Sequence, residues 1–550
     1  MEKISLRSVG RWQCGFSAAL FIIVTIAAAG CGSSSSPPII TPTASPTPSA
    51  TPTASPPPPF NSGKNEGALI DGELVTSYPT LTSGSTTGLD SFYTGVICAG
   101  LETANCTSNE NNLNTAQFGN FDLAENPIGH NRLGIAMVDA VKIHYTAINV
   151  DQNALPVSGG ILVPRISASS LKGVILYFHG TTVDRSYVPS NFTPLSNTST
   201  YTDGAVLAAI FASQGYVVVM PDYIGLGDDI THAHPYVVYP GVNAQSGLAM
   251  VKAARAYLTA KYGIIGNLPF YVTGYSEGGA YALQAEHMMQ SNPLYAEVLE
   301  VSLRKAAPLS GFFDLSGTGL AYLFDNISAT HNNWFSLDPT ISALSKPYLS
   351  AYLVLSFASY SGIDPTNILA ANFYNCPAGT TACGTGNNLA GLYFTATQSA
   401  GYNGQVELLT YALAQIAGWS TTDNAITPLL TKAYATALQK QDTSNPLYQQ
   451  VLGADTYQFV PTVPVTLVSL MKDSVVTRKN SDVAFAYFTK QNPSGPYKEA
   501  LVDNNNFLVP AGLGVDYVTL PGSSGTQPVD HGGELPFLSV LILNEFNASP

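Results

Sequence analysis

The segment Gly274-Tyr275-Ser276-Glu277-Gly278-Gly279, near the middle of the chain, has the types and spacing needed to present a nucleophile. A serine with glycine two positions before and two after it suits a sharp strand-to-helix turn that lifts the hydroxyl clear of the backbone. The bare pattern would arise by chance about 0.4 times in a chain of this glycine and serine content, so context has to decide. Here it follows Phe270-Tyr271-Val272-Thr273, which reads as a buried strand, and opens a helical pattern from Ala280 to Met289. The chemistry would be covalent catalysis. A serine hydroxyl needs a base to take its proton, and the base needs an acid to hold it.

In that arrangement acid and base follow the nucleophile in the chain. Asp473 lies just past the apolar strand Val463 to Met471. Its rivals are Asp482, on the next expected helix, and Asp503, in a polar loop. His531 is the one histidine after residue 331. It lies beyond an expected last strand, Tyr517 to Leu520, and ahead of the helix Pro536 to Asn544. The expected roles are Ser276 as nucleophile, His531 as general base and then acid, and Asp473 as the group that fixes the imidazole tautomer. The oxyanion would be held by two backbone N–H groups, that of Glu277 and that of Thr181, with Gly180 as the alternative to Thr181.

Positioning these groups takes a layered fold. Val138 to Val150 alternates apolar and polar residues, and Gly159 to Pro164 gives a second strand after a turn. Val174 to Phe178, Tyr216 to Met220 and Phe270 to Thr273 are short apolar runs, separated by helical patterns over Ala205 to Gln214 and Asn243 to Tyr262. Short apolar strands alternating with helices predict an α/β fold with a mainly parallel central sheet and helices on both faces. Right-handed crossovers then bring the strand ends to one rim, where ligands bind.

At this point the chain resembles the α/β-hydrolases, and more narrowly the secretory lipases and their bacterial esterase relatives. The resemblance rests on Phe178-His179-Gly180-Thr181-Thr182, Pro221-Asp222-Tyr223-Ile224-Gly225-Leu226-Gly227, His234-Pro235-Tyr236, the Ser276 segment and Ala307-Pro308-Leu309-Ser310-Gly311, with Asp473 and His531 completing it. It covers residues 136–310 and 461–550 as a catalytic core. It implies an α/β-hydrolase fold that hydrolyses carboxylic esters through an acyl-enzyme, with no metal and no organic cofactor. Glu277 departs from the family, where glutamine is commoner. Residues 311–460 would be a mostly helical cap over the rim, with Tyr348 to Tyr360 and Ala425 to Lys440 as helices. The cap segment's basic residues are Lys346, Lys432 and Lys440, and an apolar, weakly charged cap suits an acyl or aromatic ester. Residues 61–135 form an N-terminal extension of unassigned role. His232 and His234, after Asp228-Asp229, have the types for a metal site, but the resemblance makes that stretch a structural loop near the mouth.

The N-terminus reads as an address. Lys3, Arg7 and Arg11 precede an apolar stretch from Phe16 to Ile26 and then Ala27-Ala28-Ala29-Gly30-Cys31. Residues 1–30 are expected to be an export signal, too short in its apolar part to span a bilayer. Ala-Ala-Gly-Cys resembles a lipobox that would acylate Cys31; cleavage after Ala29 is the alternative, and would release a secreted soluble protein. From Ser33 to Pro59 the chain is mostly Pro, Ser and Thr, which makes residues 31–60 a linker of extended polyproline-II character. The protein is expected in the bacterial envelope, tethered to a membrane by its lipidated N-terminus. In that oxidising setting four further cysteines fall into two close pairs, Cys98-Cys106 and Cys376-Cys383, expected as disulfides.

Composition sets the outer limits. The 550 residues carry 22 basic and 36 acidic side chains, a net charge of −14, which argues against a nucleic-acid backbone as partner. A small-molecule or lipid ester is the expected partner. A serine peptidase using the same groups and a non-catalytic binding lipoprotein are the alternatives. Oligomeric state is not legible.

Overall fold

The computed structural model describes residues 60–98, 101–115, 135–196, 201–326, 337–374, 424–510 and 525–548. The export signal, Cys31, the linker up to residue 59, Cys376, Cys383 and the expected strand Tyr517 to Leu520 lie outside them.

One large sheet organises these residues. Its strands are β1 (Leu69–Pro79), β2 (Met137–Ile148), β3 (Ala154–Pro164), β4 (Gly173–Phe178), β5 (Tyr216–Pro221), β6 (Leu268–Tyr275), β7 (Val301–Leu309), β8 (Val465–Leu470) and β9 (Tyr497–Val502). They lie in the order β1-β2-β3-β5-β4-β6-β7-β8-β9. The pairs from β1 to β5 are antiparallel. From β5 through β4 to β9 every pair is parallel. The residue types account for this division. β4, β5 and β8 are buried along their whole length, as parallel strands covered on both faces must be, and only Thr466 and Ser469 of β8 interrupt their largely apolar runs.

Helices cover both faces. They include α1 (Leu89–Cys98), α2 (Thr103–Thr115), α3 (Asp203–Ile210), α4 (Pro240–Tyr262) and α5 (Glu277–Ser291). On one face α4 and α5 pack Leu248, Tyr281 and Met288 against Leu176, Val219 and Val272 of the sheet. On the other, α1, α3 and the last helix, Leu535–Asn547, pack Phe92, Leu207 and Leu538 against Ile175, Val218 and Val468. This is the α/β-hydrolase arrangement. Among the described residues no helix is long and apolar enough to cross a membrane.

The N-terminal extension is built into this core. β1 pairs with β2 at the sheet edge. The Cys98–Cys106 disulfide joins α1 to α2. α1 also leans on the C-terminal helix, where Tyr93 Oη donates to the Pro536 carbonyl at 2.7 Å.

Two helices of the cap segment differ from expectation. The one expected from Tyr348 starts earlier, at Pro339, and runs to Tyr360 through Pro347. Proline is disfavoured inside a helix, which is why the sequence pattern puts the start after it. The one expected over Ala425 to Lys440 is a short 3-10 turn, Thr427–Leu429, followed by a separate helix from Lys432 to Gln439. Pro428 lies in the turn, and Thr431, in extended backbone, resets the chain before the second helix.

Candidate active site

β6 ends at Tyr275 and α5 begins at Glu277, so Ser276 is the whole turn between them. Its backbone is held at φ 58°, ψ −120°, a conformation that residues with a side chain rarely adopt. The Ser276 N–H donates to the Leu309 carbonyl at 2.9 Å, and its own carbonyl accepts from Gly279 N at 2.9 Å. The flanking glycines are needed for close approach. A Cβ on Gly274 would sit 2.2 Å from the Gly278 carbonyl oxygen, and one on Gly278 would sit 2.1 Å from that of Phe178.

Three side chains from three distant segments meet here. His531 Nε2 lies 2.8 Å from Ser276 Oγ, and His531 Nδ1 lies 2.8 Å from Asp473 Oδ2. Asp473 follows β8, and its other oxygen accepts the N–H groups of Val475 and Val476, each at 2.8 Å, which fixes the carboxylate's direction. His531 opens a 3-10 turn, His531–Gly533, ahead of the last helix, and Tyr275 Oη donates to its carbonyl at 2.5 Å. Burial lowers the basicity of the His531 imidazole, but the facing charges of Asp473 and Glu534 outweigh it and raise its pKa. The rivals point elsewhere. Asp482 lies on a helix beside Arg478, and Asp503 caps a turn at Asn505 N.

The segments that carry the expected oxyanion donors lie next to Ser276. Glu277 is the first residue of α5, where backbone N–H groups have no acceptor within the helix. The loop 179–182 leaves β4 against Ser276, since a Cβ on Gly180 would lie 3.6 Å from Ser276 Cβ. Tyr223 braces this loop: its ring stacks on His179 at 3.9 Å and its hydroxyl donates to the His179 carbonyl at 2.7 Å. Burial depresses His179 to about 4, so it stays neutral there. Thr181 Oγ1 is 3.1 Å from Tyr236 Oη.

The Glu277 side chain turns away from the reacting atoms. It is fully buried, with Oε1 2.6 Å from His234 Nε2 and accepting from Tyr281 Oη. His234 Nδ1 is bound to the Ile224 carbonyl at 2.9 Å, and His232 pairs with Asp229, so each histidine is held by a different partner within the loop that follows β5. Sequence reasoning gives no role to Glu534 or Asp530. Both are buried beside His531: Glu534 Oε1 is 3.3 Å from Nδ1, and Asp530 Oδ1 accepts from the N–H groups of Ser474 and His531. Their position on either side of the histidine is the available signal, but spacing alone does not report burial. Asp473, His531 and Glu534 also converge closely enough to hold a cation. In that group His531 Nδ1 and Asp473 Oδ2 already satisfy one another.

The site lies under cover. Ser276 is 4% exposed and His531 1%. The helix Pro339–Tyr360 of the cap segment is bonded to the surrounding loops: Tyr352 Oη donates to the Thr182 carbonyl at 3.1 Å, and Ser356 Oγ accepts from Tyr236 N at 2.9 Å and donates to the His234 carbonyl at 3.2 Å. A small cavity opens beside the loop 179–182, lined by Thr181, Tyr187, Val188, Asp203 and Tyr275.

Comparison with known proteins agrees with this architecture. Residues 190–307, which include the Ser276 turn, match the family model described as secretory lipase. No curated protein sequence matches the chain. A ligand-bound rice cell wall degrading esterase LipA from Xanthomonas oryzae is similar in structure, with TM-score 0.56 and 17% identity over 88% of this chain and 100% of that one. A structure from Legionella pneumophila is similar at TM-score 0.56 and 21% identity, over 87% of this chain and 97% of that one. The chain therefore has an α/β-hydrolase fold, and its segment 190–307 around Ser276 is similar to the secretory lipases.

Proposed function

We propose that the protein is an exported serine hydrolase that cleaves carboxylic esters through an acyl-enzyme. The observation that carries this reading is the unbroken line Ser276 Oγ, His531 Nε2, His531 Nδ1, Asp473 Oδ2, with 2.8 Å at each contact, on a strained turn at a strand end. As Ser276 Oγ attacks the ester carbonyl, His531 Nε2 takes its proton and Asp473 stabilises the imidazolium. The N–H groups of Glu277 and Thr181 receive the oxyanion, and the positive end of α5 adds to them. Collapse of the tetrahedral species expels the alcohol, which takes the proton from His531. Water, deprotonated by His531, then attacks the acyl carbonyl and releases the acid, restoring Ser276. The matched secretory-lipase segment supports an ester as substrate, and the weakly charged cap segment supports an acyl or aromatic one. In this reading Cys31 carries lipid and the Ser33 to Pro59 linker holds the enzyme off the membrane.

The test uses the full chain with a fluorophosphonate and a p-nitrophenyl ester. We expect stoichiometric labelling of Ser276, found by peptide mass spectrometry, and loss of labelling and hydrolysis in Ser276→Ala and His531→Ala. The labelled protein should fractionate with membranes and become soluble in Cys31→Ala. A label on another serine, or full ester hydrolysis by Ser276→Ala, would sink the reading.

A further inference from the structure

His531 is faced by more acid than a Ser-His-Asp arrangement requires. Besides Asp473 Oδ2 at 2.8 Å, its Nδ1 meets Glu534 Oε1 at 3.3 Å. Glu534 is fully buried at the end of the same 3-10 turn. Its Oε2 accepts from Ser310 Oγ at 3.1 Å, while Oε1 accepts no hydrogen bond among the described residues. A buried carboxylate oxygen is costly unless something uses it, and the imidazole is what it faces. The remaining groups around the cluster do not replace that contact. Asp530 bonds backbone N–H groups, Tyr275 Oη bonds the His531 carbonyl, and Tyr322 Oη bonds the Ser474 carbonyl at 2.8 Å. Among the described residues no lysine or arginine pairs with Asp473, Asp530 or Glu534.

We propose that Glu534 is a second carboxylate for His531, a positioning residue that shares the Nδ1–H with Asp473 and bears part of the imidazolium charge. The inference rests on the triad reading above. Asp473 is the closer acceptor and is locked by two backbone N–H groups. Glu534 is tied by one hydroxyl, so a small movement can shorten its 3.3 Å contact when His531 becomes cationic. Burial pushes the Glu534 carboxyl up, and the facing imidazolium pulls it back toward the anion. Losing Asp473 then leaves a histidine still held in the productive tautomer by a carboxylate.

Four variants and a pH profile test this: Asp473→Ala, Glu534→Gln, the double variant and His531→Ala, with kcat, KM and fluorophosphonate labelling rates measured between pH 5 and pH 9. Loss of the orienting aspartate in a triad with one acid costs roughly 10⁴-fold. Here Asp473→Ala should lose roughly 10–100-fold and the double variant at least tenfold more, because the second acid supplies what remains. Glu534→Gln should lower kcat rather than raise KM. The base must be neutral to act, and an adjacent anion raises the pH at which it becomes so. Removing that anion therefore moves the acid limb of kcat/KM to lower pH. A purely structural glutamate would change stability and leave that limb in place. The inference is overturned if Asp473→Ala is as inactive as His531→Ala, or if the acid limb of a folded Glu534→Gln does not move. The single Asp473 variant decides the question if Glu534→Gln does not fold. Activity surviving in His531→Ala would instead overturn the triad reading.

Discussion

In the proposed mechanism Glu277 acts in catalysis through its backbone and in structure through its side chain. Its N–H is the proposed oxyanion donor, while its carboxylate is committed to His234 and Tyr281. Since His234 Nδ1 faces a carbonyl and must carry a proton, the Nε2···Oε1 contact shares one more. A glutamine can replace this contact, because its NH₂ group donates to a neutral His234 Nε2 and to Tyr281 Oη together. Glu277→Gln should therefore keep kcat within about threefold of the parent, since the backbone donor is unchanged. Glu277→Leu should cost about 2–4 kcal/mol in denaturant unfolding, because two buried polar groups lose their partner. An inactive but folded Glu277→Gln would show that the carboxylate itself enters the chemistry. At this scale the sequence is informative where a grouping follows from chain order, as for Ser276, Asp473 and His531, whose side chains meet in the structure. It is silent on Glu534 and on the His234–Glu277 contact, since these depend on segments that meet only after folding.

At the scale of elements, the turn at Ser276 works because three backbones are packed without side chains between them. Gly278 lies against the end of β4, so an added methyl meets the Phe178 carbonyl rather than a side chain that could rotate away. To make room, β4 would have to shift, and the loop 179–182 that follows it would move with it. Gly278→Ala should abolish fluorophosphonate labelling and lower stability by about 1–3 kcal/mol through overpacking. A variant that labels at the parental rate would mean that the Thr181 loop does not need its position. The glycines and the fully apolar strands are legible because each carries its constraint in its own residues. β9 is not. Its Lys498 and Glu499 and its half-buried edge position give it a mixed pattern with no clear period. The cap-segment helices depart from expectation where proline obscures their boundaries, at Pro347 and Pro428.

For the whole molecule, the question is which residues the hydrolase core needs in order to fold. The sequence resemblance begins at residue 136, yet β1 supplies the edge strand to β2, and Tyr78, Leu89, Phe92, Tyr93 and Ile97 are buried in the shared core. α2 reaches the other end of the chain: Asn109 Nδ2 donates to the Leu508 carbonyl at 2.7 Å, and its Oδ1 accepts from Leu508 N at 2.9 Å. α1 meanwhile bonds the Pro536 carbonyl, just past His531. Burying a large apolar side chain is worth about 1.5–3 kcal/mol, so these five contribute on the order of 10 kcal/mol as an upper bound. That is comparable to the whole net stability of a typical domain, about 5–15 kcal/mol. A polypeptide beginning at Ala136 should therefore be insoluble or unfolded by circular dichroism. One beginning at Phe60 should unfold cooperatively and hydrolyse p-nitrophenyl esters like the full chain. The C-terminal turn that carries His531 is held partly from the N-terminal side, so an Ala136 polypeptide that folded should still lose labelling of Ser276. Full labelling in that truncated form would make residues 61–135 an accessory to the enzyme rather than part of its core.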